Sequence, residues 1–175
     1  MDLSAEARRN SILKELIEAD DPKSASSLAA AYSVSRQIIV GDIAILRASG
    51  HDILATPKGY IYDSVETPDH KYEELIACNH TADDMREELY TIVDNGATAI
   101  DVTVEHLVYG QLSGNLDLSS RYDVDTFISK FDEAEDIVPM SVLTQGAHLH
   151  RIGASSKTVL ERVKSALKEK GFLIE

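Results

Sequence analysis

Cysteine occurs once in 175 residues, at Cys78. A lone thiol excludes an intrachain disulfide and any cysteine-cluster zinc site, and a buried strand position is the role expected of it. No apolar run approaches the roughly 20 residues that a membrane-spanning helix needs. The N-terminus lacks a charged start followed by an apolar stretch, so no secretory signal is expected. A phosphate-binding glycine loop, a Ser-His-Asp order and a cysteine nucleophile are all missing, which weighs against an enzyme. Together these absences point to a soluble cytoplasmic protein with no membrane partner.

Positive charge is also scarce. Seventeen Lys and Arg face thirty Asp and Glu, for a net charge of −13. That is a poor balance for a chain meant to approach phosphate. Its distribution softens the objection. Residues 1–66 carry seven basic and ten acidic side chains, net −3, and residues 67–175 carry net −10. Within 35–60 the balance becomes +1.

What is present starts with residues 24–62. Leu28 to Tyr32 predict a short helix of small residues, which a second helix can approach closely. Ser33-Val34-Ser35 breaks the pattern, with Val34 as an apolar plug and Ser35 as a strong N-cap. From Arg36 the helical period returns, and Ile39, Ile43 and Leu46 share one stripe. Gln37, Val40, Gly41 and Ala44 fall opposite, flanked by Arg36 and Arg47. That face is small and uncharged enough to enter a major groove. Ile53 and Ala55, then Tyr60 and Tyr62, alternate around Thr56-Pro57-Lys58-Gly59, a hairpin with Lys58 at its tip. Helix, turn, helix and basic-tipped wing in that order predict a winged helix-turn-helix over 1–66. Ser4 to Ala19 supplies its first helix. The DNA-contacting residues expected are Ser35, Arg36, Gln37, Val40, Gly41, Arg47 and Lys58.

Residues 63–69 read as a linker, and 67–175 as a second domain. Strands are predicted over 73–78, 99–109, 138–143, 147–152 and 172–174. Helices are predicted over 81–93, 124–134 and 155–170, with Thr81 capping the first. The expected architecture is α+β: a mixed or antiparallel sheet with helices on one face.

His148 and His150 stand two apart on a predicted strand, so both imidazoles point to one face. His80 lies at a strand-to-helix junction, and Glu88, or its neighbour Glu87, lies about two turns into that helix. Where that helix crosses the sheet, His80, Glu88, His148 and His150 can converge. Three imidazoles and a carboxylate suit Zn²⁺, Ni²⁺ or another borderline divalent ion. His-x-His by itself is weak evidence, since most such pairs are solvated.

The runs V-S-R-Q-I-I-V-G-D-I-A-I-L-R-A-S-G and A-T-P-K-G-Y resemble the helix-turn-helix of bacterial biotin-repressor type. Four later runs resemble the three-histidine domain of niacin-responsive transcriptional repressors. They are Asn79-His80-Thr81, Arg86 to Tyr90, Val104 to Gly110 and Gly146 to His150. The resemblance covers nearly the whole chain. It departs at Gly41, where related sequences carry a longer polar residue on the DNA face. It implies a dimeric repressor of NAD-synthesis or niacin-uptake genes on double-stranded operator DNA, with nicotinic acid as co-repressor. It also implies that His80, Glu88, His148 and His150 are the metal ligands, and it places His106 near the ligand pocket. Nicotinate would reach the metal through its carboxylate or its ring nitrogen. Two other readings use the same residues: a regulator sensing the metal alone, and a metal-dependent hydrolase with Glu87 or Glu88 as base.

Overall fold

The computed structural model describes residues 4–63, 70–134 and 136–175. The expected linker lies almost wholly outside the described residues. The chain divides into two compact units, Met1–Glu66 and Thr67–Glu175. No single helix among the described residues is long and apolar enough to cross a membrane.

The first unit is a three-helix core with a hairpin. Helix α1 spans Ala5–Glu18, α2 Ala25–Ala31 and α3 Arg36–Ala48. Ser4, Ser24 and Ser35 each cap one of them, the side-chain oxygen accepting a backbone N–H of the first turn. Ile12, Leu16, Leu28, Ile39, Ile43, Leu46 and Ile53 form the core, with Val34 packed against it. Strands β1 (Ile53–Thr56) and β2 (Gly59–Tyr62) pair antiparallel as the wing. Lys23 bridges to Tyr60 through two backbone hydrogen bonds of 2.8 Å. That contact explains Gly59 better than the bend does. A Cβ there would sit 2.5 Å from the Lys23 carbonyl carbon, and the residue's φ is +139°.

The second unit is a four-stranded antiparallel sheet in the order β3-β6-β4-β5. Its strands are β3 (Tyr72–Asn79), β4 (Thr98–His106), β5 (Gly110–Leu118) and β6 (Ala147–Ala154). Helices α4 (Met85–Asp94), α5 (Arg121–Asp132) and α6 (Lys157–Glu169) contribute Leu89, Ile92, Val124, Ile128, Leu160, Val163 and Leu167 to one apolar core with the sheet. The chain is therefore α+β, as expected.

Several local expectations fail. The predicted strand 99–109 ends at His106, and an unforeseen strand, β5, follows the turn. The predicted strand 138–143 is instead a 3-10 turn over Met140–Thr144. Pro139, just ahead of it, has no N–H to give a sheet ladder. Thr81 does not cap a helix: its hydroxyl bonds the Asp84 carboxylate at 2.9 Å, and a 3-10 turn over Ala82–Asp84 precedes α4. The closing strand 172–174 is reduced to a single bridge between Leu173 and Cys78.

Candidate functional site

β6 lies between β3 and β4, so its odd and even residues face opposite sides of the sheet. His148 and His150 point to the helical side and are buried. His80 follows β3, which pairs with β6 so that Cys78 stands opposite His148. Glu88 lies on the inner face of α4 and is only 1% exposed. Its neighbour Glu87 turns outward to an ion pair with Lys170. The structure thus separates two residues that the sequence could not.

The four side chains meet. His80 Nε2 is 2.7 Å from a Glu88 carboxylate oxygen, His148 Nε2 is 3.1 Å, and His150 Nε2 is 3.3 Å. The rings stack edge to face, His80 on His148 at 4.8 Å and His148 on His150 at 4.9 Å between centroids. Each ring's other nitrogen, Nδ1, lies against a backbone carbonyl: Thr81 at 2.7 Å, Gly146 at 2.7 Å and Asp101 at 2.8 Å, for His80, His148 and His150 in turn. A carbonyl only accepts, so each Nδ1 carries the proton and donates. In the neutral ring, each Nε2 is then a bare lone pair. Three lone pairs and a carboxylate converge with no proton left among them. His80 Nε2 is buried against the Glu88 carboxylate but has no hydrogen-bond partner of good geometry.

Such an arrangement needs positive charge at its centre. Ligand atoms of His80, Glu88 and His148 all lie within 4.8 Å of one another, a spacing that can hold a metal ion. His150 Nε2 touches the same carboxylate at 3.3 Å but stands outside that three-residue group. The Nδ1–carbonyl bonds are the outer contacts that orient metal-binding imidazoles. Without metal, protons must do the same work. Burial opposes charge on His80 and His150, but the Glu88 carboxylate outweighs it and raises both. Burial likewise pushes the Glu88 carboxyl up, and the imidazoles, His150 foremost, hold it well below its usual range. Burial and the Glu88 charge drive the Cys78 thiol upward, so it stays protonated beside the cluster.

Local backbone makes this possible. Gly146 has φ +103°, and a Cβ there would clash with the His80 carbonyl and come 2.7 Å from Asn79 Oδ1. Its own carbonyl accepts from His148 Nδ1 and, at 3.4 Å, from the His80 N–H. A bulge between Ala99 and Asp101 breaks the register of β4 where the Asp101 carbonyl receives His150. Neither feature has a side-chain signature beyond the glycine itself.

The cluster opens on an apolar cavity of about 280 Å³. Phe127 and Phe131, packed edge to face at 5.2 Å, form one wall with Met85, Leu116 and Met140. None of its lining residues is Lys or Arg. The sequence reading missed this cavity because its walls come from α5, β5 and the 3-10 turn, two of which were misplaced. His106 does not line it. That residue ends β4, and its Nδ1 accepts the N–H groups of Val108 and Tyr109 in the following turn at 3.2 Å.

In the first unit, Arg36, Gln37, Val40, Gly41 and Ala44 are exposed along α3, as a reading face requires. A Cβ on Gly41 would meet nothing within 4 Å. Ser35 is occupied as the cap of α3, and Lys58 is exposed at the turn of the wing. Arg47 is exposed, and part of its side chain is engaged within the unit. Its Nε–H donates to the Ile53 carbonyl at 2.7 Å and its guanidinium lies 5.8 Å from the Tyr60 ring centre. It ties the wing to α3. Asp42 is buried under α3, bonded by Arg8 at 2.6 and 3.3 Å with Arg9 at 3.6 Å. It therefore presents no anion to DNA.

A winged helix-turn-helix carried beside a separate unit with its own buried polar cluster defines the class of two-part transcription regulators. A family model described as the 3H domain matches residues 73–175, and one described as an HTH domain matches 8–61. The chain is 41% identical over 168 residues to the "Probable transcription repressor NiaR" of Thermotoga maritima, covering 96% of this chain and 94% of that protein. It is 38% identical over 169 residues to the "Transcription repressor NadR" of Bacillus subtilis, covering 96% and 93%. The chain belongs to this 3H-domain family of transcription repressors, regulators and not enzymes.

Proposed function

We propose that this repressor acts in the cytoplasm as a homodimer on the operators of NAD-synthesis or niacin-uptake genes, with nicotinic acid as co-repressor. His80, Glu88, His148 and His150 hold one divalent transition metal, zinc or nickel, and nicotinic acid binds in the adjoining cavity. The observation that carries the metal reading is the tautomer set. All three Nδ1 protons are spent on backbone carbonyls, so all three Nε2 lone pairs face a carboxylate. The bound ion supplies the positive charge that neutral imidazoles lack.

That charge bears on the ligand. The cavity offers apolar and aromatic walls to a flat ring, and no basic side chain to a carboxylate. An anionic aromatic acid thus finds its counter-charge only at the cluster, which favours its carboxylate over its ring nitrogen as the end nearest the metal. The same feature favours nicotinic acid over its neutral amide.

On DNA, Gln37, Val40 and Gly41 present base-reading positions, while Arg36, Ser35 and Lys58 are placed for phosphate. A single winged unit of net −3 has few phosphate contacts, so two copies are needed to hold a two-fold site.

The test is operator binding by the full chain with nicotinate, with nicotinamide and with neither, before and after chelation. Nicotinate should raise affinity only in the metal-loaded protein. If added zinc or nickel alone gives the full gain, the ion is the signal and the niacin reading fails.

A further inference from the structure

Two of the three clustered imidazoles have a firm frame. His150 stands in β6 opposite Ile76 of β3 and Val102 of β4, and His148 stands opposite Cys78. A paired strand fixes the direction of its side chains. His80 has no such frame. It follows β3, which ends at Asn79. Its N–H reaches the Gly146 carbonyl only at 3.4 Å, beyond the usual range for such a bond. Its Nδ1 bonds the carbonyl of its own neighbour, Thr81, so that contact ties the ring to the junction and not to the sheet.

A further hold comes from the segment after α6. That helix ends in a Schellman turn: the Phe172 N–H donates to the Leu167 carbonyl at 3.0 Å and the Gly171 N–H to the Lys168 carbonyl at 2.9 Å, with Gly171 at φ +75°. The turn sends the chain along β3, the edge strand of the sheet. There the Asn79 N–H donates to the Phe172 carbonyl at 2.8 Å, and the Ile174 N–H donates to the Ala77 carbonyl at 2.9 Å. These bonds bracket Cys78 and fix the last residues of β3 before His80. They also set Phe172 beside the imidazole, with ring centroids 5.1 Å apart and planes tilted by 57°. Both side chains are buried or nearly so, each residue 9% exposed. The ring neighbours of His80 are thus His148, a member of the cluster, and Phe172, which is not.

We infer that Phe172 is a positioning residue for His80, and that residues 171–174 form a clasp coupling metal occupancy to the edge of the sheet. The inference rests on the metal reading proposed above. Phe172 has no ligand atom and cannot bind the ion. It restrains a ring that the backbone leaves loosely held, and its apolar face keeps water from that ring. Loss of such outer contacts weakens metal binding by about ten- to a hundredfold. Coupling is reciprocal, so bound metal holds the clasp in place by the same factor.

Zinc affinity of the full-length chain, measured by competition with a chelator, tests this. Wild type should bind one zinc per chain. Phe172→Ala should raise the dissociation constant at least tenfold and alter the visible absorption of the cobalt-loaded chain, which reports ligand geometry. Leu160→Ala empties the same core at a side chain that makes no ring contact. It should lower stability yet leave zinc affinity and the cobalt spectrum unchanged. In wild type, zinc should slow hydrogen exchange of the Ile174 amide at least tenfold. Should Phe172→Ala fail to fold, Phe172→Leu is read by the same measures with a threefold threshold. A wild-type chain that takes up neither zinc nor cobalt overturns the metal reading. If wild type binds metal, three outcomes overturn the clasp alone: a smaller loss in the folded Phe172 variant, an equal loss in Leu160→Ala, or unslowed exchange at Ile174.

Discussion

Among the described residues each unit buries one carboxylate on a helix, and the two are treated in opposite ways. Asp42 on α3 faces Arg8 and Arg9, whose guanidinium groups keep their protons at any ordinary pH and aim donors at it. Glu88 on α4 faces three imidazoles that have already given their Nδ1 protons to the backbone. The first ion pair is complete as the chain folds. The second is complete only with an added cation or added protons. A buried carboxylate is therefore not informative by itself; what its neighbours still have to offer decides whether it belongs to structure or to a site.

The sharpest way to break the comparison is to remove the imidazoles. His148→Ala with His150→Ala should abolish metal uptake and the nicotinate-dependent gain in operator affinity, while the winged unit still folds on its own core. Elemental analysis and operator titration check this, and stoichiometric metal in the double variant would falsify the site.

The next test sets the two carboxylates side by side. Metal at about a hundred times its dissociation constant stabilises the folded state by about 2.7 kcal/mol. Glu88→Gln should lose most of that increment. Asp42→Asn should lower stability equally with and without metal, since its partners are arginines. Thermal unfolding with zinc and with chelator separates them.

Acidity gives a third, smaller contrast. In metal-free protein the raised His80 and His150 contribute stability that is fully present below their unfolded value of about 6.5 and is lost as pH rises through the raised folded values. Glu88 runs the other way. Its contribution is present above the unfolded carboxyl value of about 4.3 and is lost as pH falls through its lowered folded one. The metal-free second unit should therefore weaken toward alkaline pH. Metal should reverse that slope, because binding needs the imidazoles deprotonated. Urea unfolding between pH 5.5 and 8.5, with and without chelator, reads both slopes.

The smallest effects belong to the reading helix. Gln37→Ala should erode discrimination between operator and mismatched sites by about 1–3 kcal/mol if the amide pairs with an adenine. Arg36→Ala should weaken all DNA binding and flatten the salt dependence by about one unit of slope. Unchanged binding in both would mean that α3 does not enter the groove.

Much of this was legible in the sequence because it is written in side chains. Serine caps, the Ile39-Ile43-Leu46 stripe and His-x-His on a strand all have fixed periods. β5 was missed because Gly110, Ser113, Gly114, Asn115 and Asp117 are poor strand formers. Leu112, Leu116 and Leu118 kept an alternation that a closer count would have caught. Val138 to Leu143 misleads in the opposite direction, as a short apolar run interrupted by Pro139, which gives no N–H to a ladder. The parts of the cluster that choose the tautomers, the carbonyls of Thr81, Asp101 and Gly146, could not be read at all. They are backbone atoms, positioned by a bulge and a left-handed turn.

The pairing of β3 with β6 also sets an order of events in synthesis. Tyr72 lies opposite Ala154, so the sheet cannot close until some eighty intervening residues exist. The winged unit is built from near neighbours and can fold while the rest is still being made. At about 5–20 residues per second, translation from residue 62 to 150 takes roughly 4–18 s. For that interval each nascent chain owns its winged unit without its second unit. Ribosome-bound chains halted near residue 130 should show a protease-resistant winged unit and take up no metal. On the co-repressor role proposed above, a newly made repressor is thus blind to its effector for several seconds of its life.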